Sequence, residues 1–337
     1  MPPSPDLPVR KLLILTYHRL DLWIAPPWFA KRLAEEFPQF QVIQLNSYDK
    51  VLNEIGDVEV LFGISIRPDQ FLAAQKLRWI HSQAAAVHQL MFPELINSNV
   101  VITNARDVHG SVVAEHVLAL IFALAKRIPA AVRFQEQHVW GQEQIWHGDT
   151  RPRDLAGAAL GLVGLGSIGR PLAKHAAALG MKVSAVRQHP GKDKPEGVDE
   201  VLPATKLDDL LARSDYVVLA LPVTPATTGL IGRSQLAKMK PGACLVNVGR
   251  GPLVEESALV EALRNKTIAG AALDVFDKEP LPADSPLWDL DNLLITPHTA
   301  GMSDQMWQRH YALFSENLRR YLDEQSLLGL VDKRRGY

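Results

Sequence analysis

Short apolar runs alternate along the chain with longer stretches whose apolar residues recur at helical spacing. This pattern predicts parallel strands joined by crossover helices. The first series of strands is predicted at 11–16, 41–45, 58–62, 78–81 and 100–103. A stretch over 112–126 is apolar nearly all round, which predicts a buried helix. A second series follows at 160–163, 182–186, 216–221, 243–248, 271–274 and 293–296, and then a helix over 304–324. If that last helix returns to the first series, the fold class is α/β, with two doubly wound parallel-sheet (Rossmann-like) domains. One domain, 1–106 with 302–337, receives the other, 107–301, as an insertion. The segment 133–153 is polar and carries Trp140, Gly141, Trp146 and Gly148. It reads as a surface loop with two aromatic anchors, or as an arm that packs on a second subunit.

Composition narrows the function classes. A chain of 337 residues exceeds what one core usually holds, in keeping with two domains. Its net charge of -1 argues against a general nucleic-acid binder, which needs a basic excess. The single cysteine, Cys244, rules out an intrachain disulfide and fits a reducing compartment. Its neighbours Ala243, Leu245 and Val246 make it a buried strand residue rather than a reactive thiol. Near the start, the apolar run 12–15 is too short for a signal core or a membrane span. Cytoplasmic residence, with no membrane partner, is the default expectation.

The first chemical motif is Gly164-Leu165-Gly166-Ser167-Ile168-Gly169, a G-x-G-x-x-G run between a predicted strand and a predicted helix over 170–179. Gly164 permits the tight turn, Gly166 lets backbone approach a pyrophosphate, and Gly169 lets helix pack on strand. The amides at the helix start then face the phosphate charge. The next predicted strand ends at Val186, and Arg187 closes it, at the place where sites for NAD carry a carboxylate for the ribose 2′-hydroxyl. Gln188, His189, Lys192 and Lys194 follow. With no carboxylate to repel a 2′-phosphate and an arginine able to fork onto one, NADP(H) is expected over NAD(H).

Three further predicted strand ends carry charge: Arg250 in NVGRG, Asp274, Asp277 and Glu279 in ALDVFDKEP, and His298 in ITPHTAG. Carboxyl ends of parallel strands converge on the ligand crevice, so these groups can meet across the sequence. Together they offer what hydride transfer to a 2-oxo acid requires: a cation for the carboxylate, a proton donor at the ketone, and a group that tunes the donor. Alone, each residue is more readily a loop, turn or cap residue. The histidines show no metal-ligand spacing, and no metal is expected.

These segments resemble the D-isomer-specific 2-hydroxyacid dehydrogenase family over essentially the whole chain. GLVGLGSIG looks like its cofactor loop, KMKPGACLVNVGRGPLVEESAL like its arginine signature, DVFDKEPLP like its glutamate signature and TPHTAG like its histidine signature; VAEHVLAL and SDYVVLALPVTPATTGLI also fit. Within the family the glyoxylate/hydroxypyruvate reductase type is the nearest. The resemblance implies that Arg250 holds the substrate carboxylate. It implies that His298 donates the proton during reduction, and that Glu279 favours the charged form of His298. It puts the cofactor on Gly164, Gly166, Ser167, Ile168, Arg187, Leu221, Pro222, Thr227, Val248, Gly249 and Asp274, and a homodimer is expected. Asp274 is equally readable as a group that tunes the site's pH behaviour from a distance or as a buried, hydrogen-bonded structural aspartate, and His116 as a packed or interface histidine. The family's substrate loop usually has a Gly and an Asp where this chain has Ala86 and His88. Ala85 and Ala86 can still bind substrate through their amides if the backbone suits a residue with a Cβ. Ser82 and Gln83 read as solvated loop residues more readily than as polar contacts to a substrate such as hydroxypyruvate. The rival readings are a non-enzymatic, cofactor-sensing corepressor-like protein, a short phosphoglycerate dehydrogenase and a formate dehydrogenase. An end soon after the last helix disfavours the corepressor-like reading and leaves no room for the regulatory domain of a biosynthetic phosphoglycerate dehydrogenase, although short forms exist. A formate dehydrogenase needs no protonated ketone, and its extra segments are not evident.

Overall fold

The computed structural model describes residues 10–188, 191 and 194–336. Among these, no helix is long and apolar enough to cross a membrane. The chain forms two compact units, Met1–Val108 with Ser303–Tyr337, and His109–Met302.

The first unit is built on strands β1 (Arg10–Leu15), β2 (Phe40–Leu45), β3 (Val58–Gly63), β4 (Trp79–Ser82) and β5 (Val101–Asn104). All pair in parallel, in the order β2-β1-β3-β4-β5. The continuous apolar run in β1 has a direct cause: successive strand side chains point to opposite faces, and both faces are covered. Leu12 and Ile14 pack with Phe62, Trp79 and Phe314, while Leu13 and Leu15 pack with Leu61 and Ile80. Each fully buried aliphatic side chain contributes about 1.5–3 kcal/mol. Phe314 and Leu318 come from the helix Met306–Leu322, so the last helix packs on this first sheet. Beyond it the chain runs back along β5, with Asn104 N–H donating to Gly329 O and Val331 N–H to Ile102 O, each at 2.9 Å.

The second unit holds β6 (Ala159–Val163), β7 (Lys182–Arg187), β8 (Glu200–Pro203), β9 (Tyr216–Leu219), β10 (Cys244–Asn247), β11 (Gly270–Leu273) and β12 (Leu293–Ile295). Its sheet is parallel throughout, in the order β12-β11-β10-β9-β6-β7-β8. The winding direction reverses between β6 and β9, the topological switch point at which open α/β sheets bind ligands beyond their carboxyl ends. Both sheets are doubly wound, and the fold class is the α/β, Rossmann-like one expected.

The structure departs from expectation in several places. Residues 133–153 are not a loop anchored by tryptophans: helices span Ile128–Glu136 and Gln142–His147, with Trp140 88% and Trp146 52% exposed. The left-handed Arg127 ends the helix Gly110–Ala125, and Pro129 opens the next at a position where proline lacks only an unneeded N–H. Strand β8 was not anticipated; it is a half-exposed edge strand without an apolar run. Gln83 is not solvated but 3% exposed, donating to Trp23 O at 3.0 Å, and Ser82 is fully buried.

Candidate active site

The glycine loop follows β6 as the pattern requires. Gly164 adopts φ +103, and a Cβ there would run into Ala220 O. At Gly166 a Cβ would meet nothing within 4 Å, which leaves bare backbone facing open space. The helix Gly169–Ala178 starts directly after it. Among the described residues, no acceptor meets the N–H groups of Gly166, Ser167 or Ile168. Unpaired amides at a helix start, with no side chain in the way, form an anion cradle, and they fit a dinucleotide pyrophosphate. Arg187 is the last residue of β7, paired in register with Pro203 of β8. His189 and Lys192 lie outside the described residues, and Lys194 is exposed.

Beyond β9, Leu221 is half-buried and Pro222 exposed. The Thr227 hydroxyl closes its own loop, donating to Pro222 O at 2.8 Å and accepting from Thr224 N–H at 2.7 Å. Beyond β10, Asn247 shapes the turn that carries Val248, Gly249 and Arg250. Its Oδ1 accepts from Gly249 N–H at 3.0 Å, and its Nδ2 donates to Arg250 O at 2.9 Å. Asn247 is 1% exposed, and sequence reasoning passed over it although it stands in the quoted motif. Arg250 Nη1 donates to Gly249 O at 2.6 Å. Burial pulls the Arg250 guanidinium below its ordinary pKa, and the nearby Glu279 charge works the other way.

Glu279 and His298 come together across nineteen residues of sequence: His298 Nδ1 stands 2.6 Å from Glu279 Oε2. Glu279 is held by its other oxygen, which accepts from Phe276 N–H at 3.0 Å. His298 takes a left-handed φ of +54, a conformation that costs a non-glycine residue about 1–3 kcal/mol and persists only when its surroundings enforce it. Asp274 supplies that enforcement. Its backbone oxygen accepts from His298 N–H at 2.9 Å. Its carboxylate accepts from Thr296 Oγ1 at 2.6 Å, Thr299 N–H at 2.9 Å and Ala300 N–H at 3.1 Å. Asp274 is 1% exposed; its N–H donates to Asn247 O at 3.0 Å, and His116 Nε2 lies 3.7 Å from its carboxylate. The buried-aspartate reading describes this carboxylate.

In the first unit, the loop after β4 carries Ala84, Ala85 and Ala86. Neither Ala85 nor Ala86 has a positive φ, so a Cβ is tolerated there. Asn104 Nδ2 donates to Ala85 O at 2.7 Å and Gln89 Nε2 to Ala86 O at 3.3 Å. Among the described residues, the N–H groups of Ala85 and Ala86 meet no acceptor. Cys244 is half-buried at the start of β10, and burial pushes its thiol up to about 11, away from reactivity.

A glycine cradle at a switch point, with an arginine and a histidine–carboxylate pair on the same sheet edge, defines a dinucleotide-dependent dehydrogenase architecture. The comparisons with known proteins agree. A family model described as D-isomer specific 2-hydroxyacid dehydrogenase, NAD binding domain, matches residues 118–300. A glyoxylate reductase of Korarchaeum cryptofilum is 34% identical over 320 residues, covering 93% of this chain and 90% of the relative. A D-3-phosphoglycerate dehydrogenase of Methanocaldococcus jannaschii is 32% identical over 296 residues, 87% of this chain; the match spans only 55% of that longer relative. Among solved structures, a D-isomer specific 2-hydroxyacid dehydrogenase from Xanthobacter autotrophicus Py2, in complex with NADPH and MES, has a TM-score of 0.83 at 31% identity, over 98% of this chain and 100% of that one. An NADPH-dependent glyoxylate/hydroxypyruvate reductase from Sinorhizobium meliloti, in complex with NADP and sulfate, has a TM-score of 0.81 at 27% identity, over 97% and 100%. The chain belongs to the D-isomer-specific 2-hydroxyacid dehydrogenase family, a family of NAD(P)-dependent oxidoreductases.

Proposed function

We propose that the protein reduces a small 2-oxo acid, of the glyoxylate or hydroxypyruvate type, to its D-2-hydroxy acid with NADPH in preference to NADH. The observation that carries this reading is the His298–Glu279 pair at 2.6 Å beside the partly desolvated Arg250. The names of the similar glyoxylate and glyoxylate/hydroxypyruvate reductases support the substrate type. The unpaired amides of Gly166, Ser167 and Ile168 hold the pyrophosphate. Arg187 meets the ribose 2′-phosphate, in keeping with the NADPH and NADP complexes of the two similar structures.

The bound nicotinamide supplies the hydride in reduction and accepts it in oxidation. Arg250 pairs with the substrate carboxylate, where its low hydration and planar fork suit a desolvated carboxylate. His298 presents Nε2–H to the ketone oxygen and gives up that proton as the alkoxide develops; Glu279 keeps Nδ1–H in place and offsets the imidazolium charge. In oxidation the same nitrogen takes the proton back.

A homodimer belongs to this reading. Trp140, Trp146, Val132 and Ile128 are exposed along 128–147, an apolar surface that a second copy would cover. A cytoplasmic, reducing setting goes with the lone Cys244. The test of function is a spectrophotometric panel of glyoxylate, hydroxypyruvate, pyruvate and longer 2-oxo acids, each with NADH and NADPH. Turnover of the two smallest hydrophilic acids with NADPH is expected. Nicotinamide oxidation by none of them would leave the corepressor-like binding protein as the better account.

A further inference from the structure

The helix Gly110–Ala125 carries a histidine that the reaction itself does not use. His116 Nε2 lies 3.1 Å from Thr296 Oγ1, on the segment that leads into His298. The direction of that hydrogen bond follows from counting protons. A threonine hydroxyl has one proton to give and two lone pairs to accept with. Thr296 gives its proton to Asp274 Oδ1 at 2.6 Å, the nearer and ionised acceptor. Toward His116 it can only accept, so His116 carries a proton on Nε2, the nitrogen that also faces Asp274 Oδ1 at 3.7 Å.

We propose that His116 is a positioning residue for His298, acting through Thr296 and Asp274. The assignment rests on the reading of His298 as proton donor. Asp274 receives donors from Thr296, Thr299 and Ala300 on its carboxylate and from His298 on its backbone oxygen, and these bonds hold His298 at its left-handed φ. His116 fixes the rotor of the Thr296 hydroxyl, so that its proton stays on Asp274. The platform beneath is rigid: Val113, Ala114, Val117 and Leu120 of the same helix are packed with Val246 of β10 and Ala272 of β11. Without the His116 donor, Thr296 turns to other acceptors, the grip of Asp274 on 296–300 slackens, and His298 spends less time aimed along its bond to Glu279. The cofactor cradle at 164–168 lies on a different strand end and takes no part in this chain of contacts.

The test uses the intact protein with His116→Leu, which removes the donor, and His116→Gln, whose amide nitrogen reaches the same place. Turnover of the best 2-oxo acid, its KM, and the Kd of NADPH by nicotinamide fluorescence are measured for each. His116→Leu is expected to lower kcat about 5- to 10-fold, the scale of one lost buried hydrogen bond, and to leave the Kd of NADPH unchanged. His116→Gln is expected to recover most of the loss. Nitrogen-15 imidazole spectra of the wild-type protein, which need no turnover, should show His116 as the Nε2–H tautomer and lose that signature in Thr296→Val. A His116→Leu variant with wild-type kcat, a glutamine variant no better than leucine, or an Nδ1–H tautomer would each overturn the assignment. Wild-type turnover surviving His298→Ala would instead strike at the reading of His298 and take this inference with it.

Discussion

Replacing Glu279 by Gln separates charge from shape at the centre of the site. Glu279 answers two donors at once, Phe276 N–H at 3.0 Å through Oε1 and His298 Nδ1 at 2.6 Å through Oε2. Glutamine has one oxygen and one NH2, so one of these partners must face a donor. The Phe276 amide is fixed in the loop, and the oxygen stays there; the NH2 then confronts His298. It can be accommodated only if Nδ1 is bare, which excludes the imidazolium needed in reduction and gives the wrong tautomer for the base needed in oxidation. A hydrogen bond to a charged group contributes about 1.5–3 kcal/mol when sheltered. The side chains of His298 and Glu279 are 49% and 34% exposed, so solvent screening brings this to about 1–2 kcal/mol. That is about 5- to 30-fold in kcat, in both directions of the reaction. Steady-state rates with saturating NADPH give the loss, and nicotinamide fluorescence gives the cofactor Kd, expected to stay put. A glutamine variant with wild-type kcat, or one whose whole deficit lies in cofactor binding, would refute the reasoning.

Arg187→Ser should raise the KM of NADPH about 10- to 100-fold by removing a charged fork from the 2′-phosphate, with NADH kinetics nearly unchanged; equal effects on both cofactors would dismiss the role of Arg187. Arg250→Lys keeps the charge but loses the planar fork, and should raise the KM for the 2-oxo acid and lower kcat, by about tenfold or more in kcat/KM; an unaltered kcat/KM would remove Arg250 from carboxylate binding. His81 is fully buried in β4, and burial pushes its pKa from 6.5 down to about 3. Above about pH 6.5 both states are neutral; below it the unfolded chain takes up a proton that the folded chain refuses until about pH 3. Stability therefore falls by about 1.4 kcal/mol per pH unit through that window from this residue alone. Urea midpoints of His81→Phe should fall less steeply with acid than those of the wild type, and parallel slopes would contradict the account.

Much of the fold was legible because a strand buried on both faces leaves an unbroken apolar run. The stretch 12–15 was readable on that ground, and so were the cores of β6, β9 and β10. Strand β8 was not legible, since an edge strand that is half exposed writes no such run. The segment 133–153 misled for a related reason: its helices bury no residue, so their composition looks like that of a loop.

Within the site, the sequence by itself determined which chemical groups exist and which strand ends carry them. Gly164, Arg250, Glu279 and His298 were readable because parallel strands send their carboxyl ends to one edge. Only the tertiary structure decided how they are held. Asn247 folding back on the Gly249–Arg250 turn, Asp274 collecting the 296–300 segment, and His116 meeting Thr296 are contacts between residues 2 to 180 positions apart. A hydrogen bond depends on distances of a few tenths of an ångström and on the direction of one proton. Local pattern records neither, because both are set by how whole elements pack.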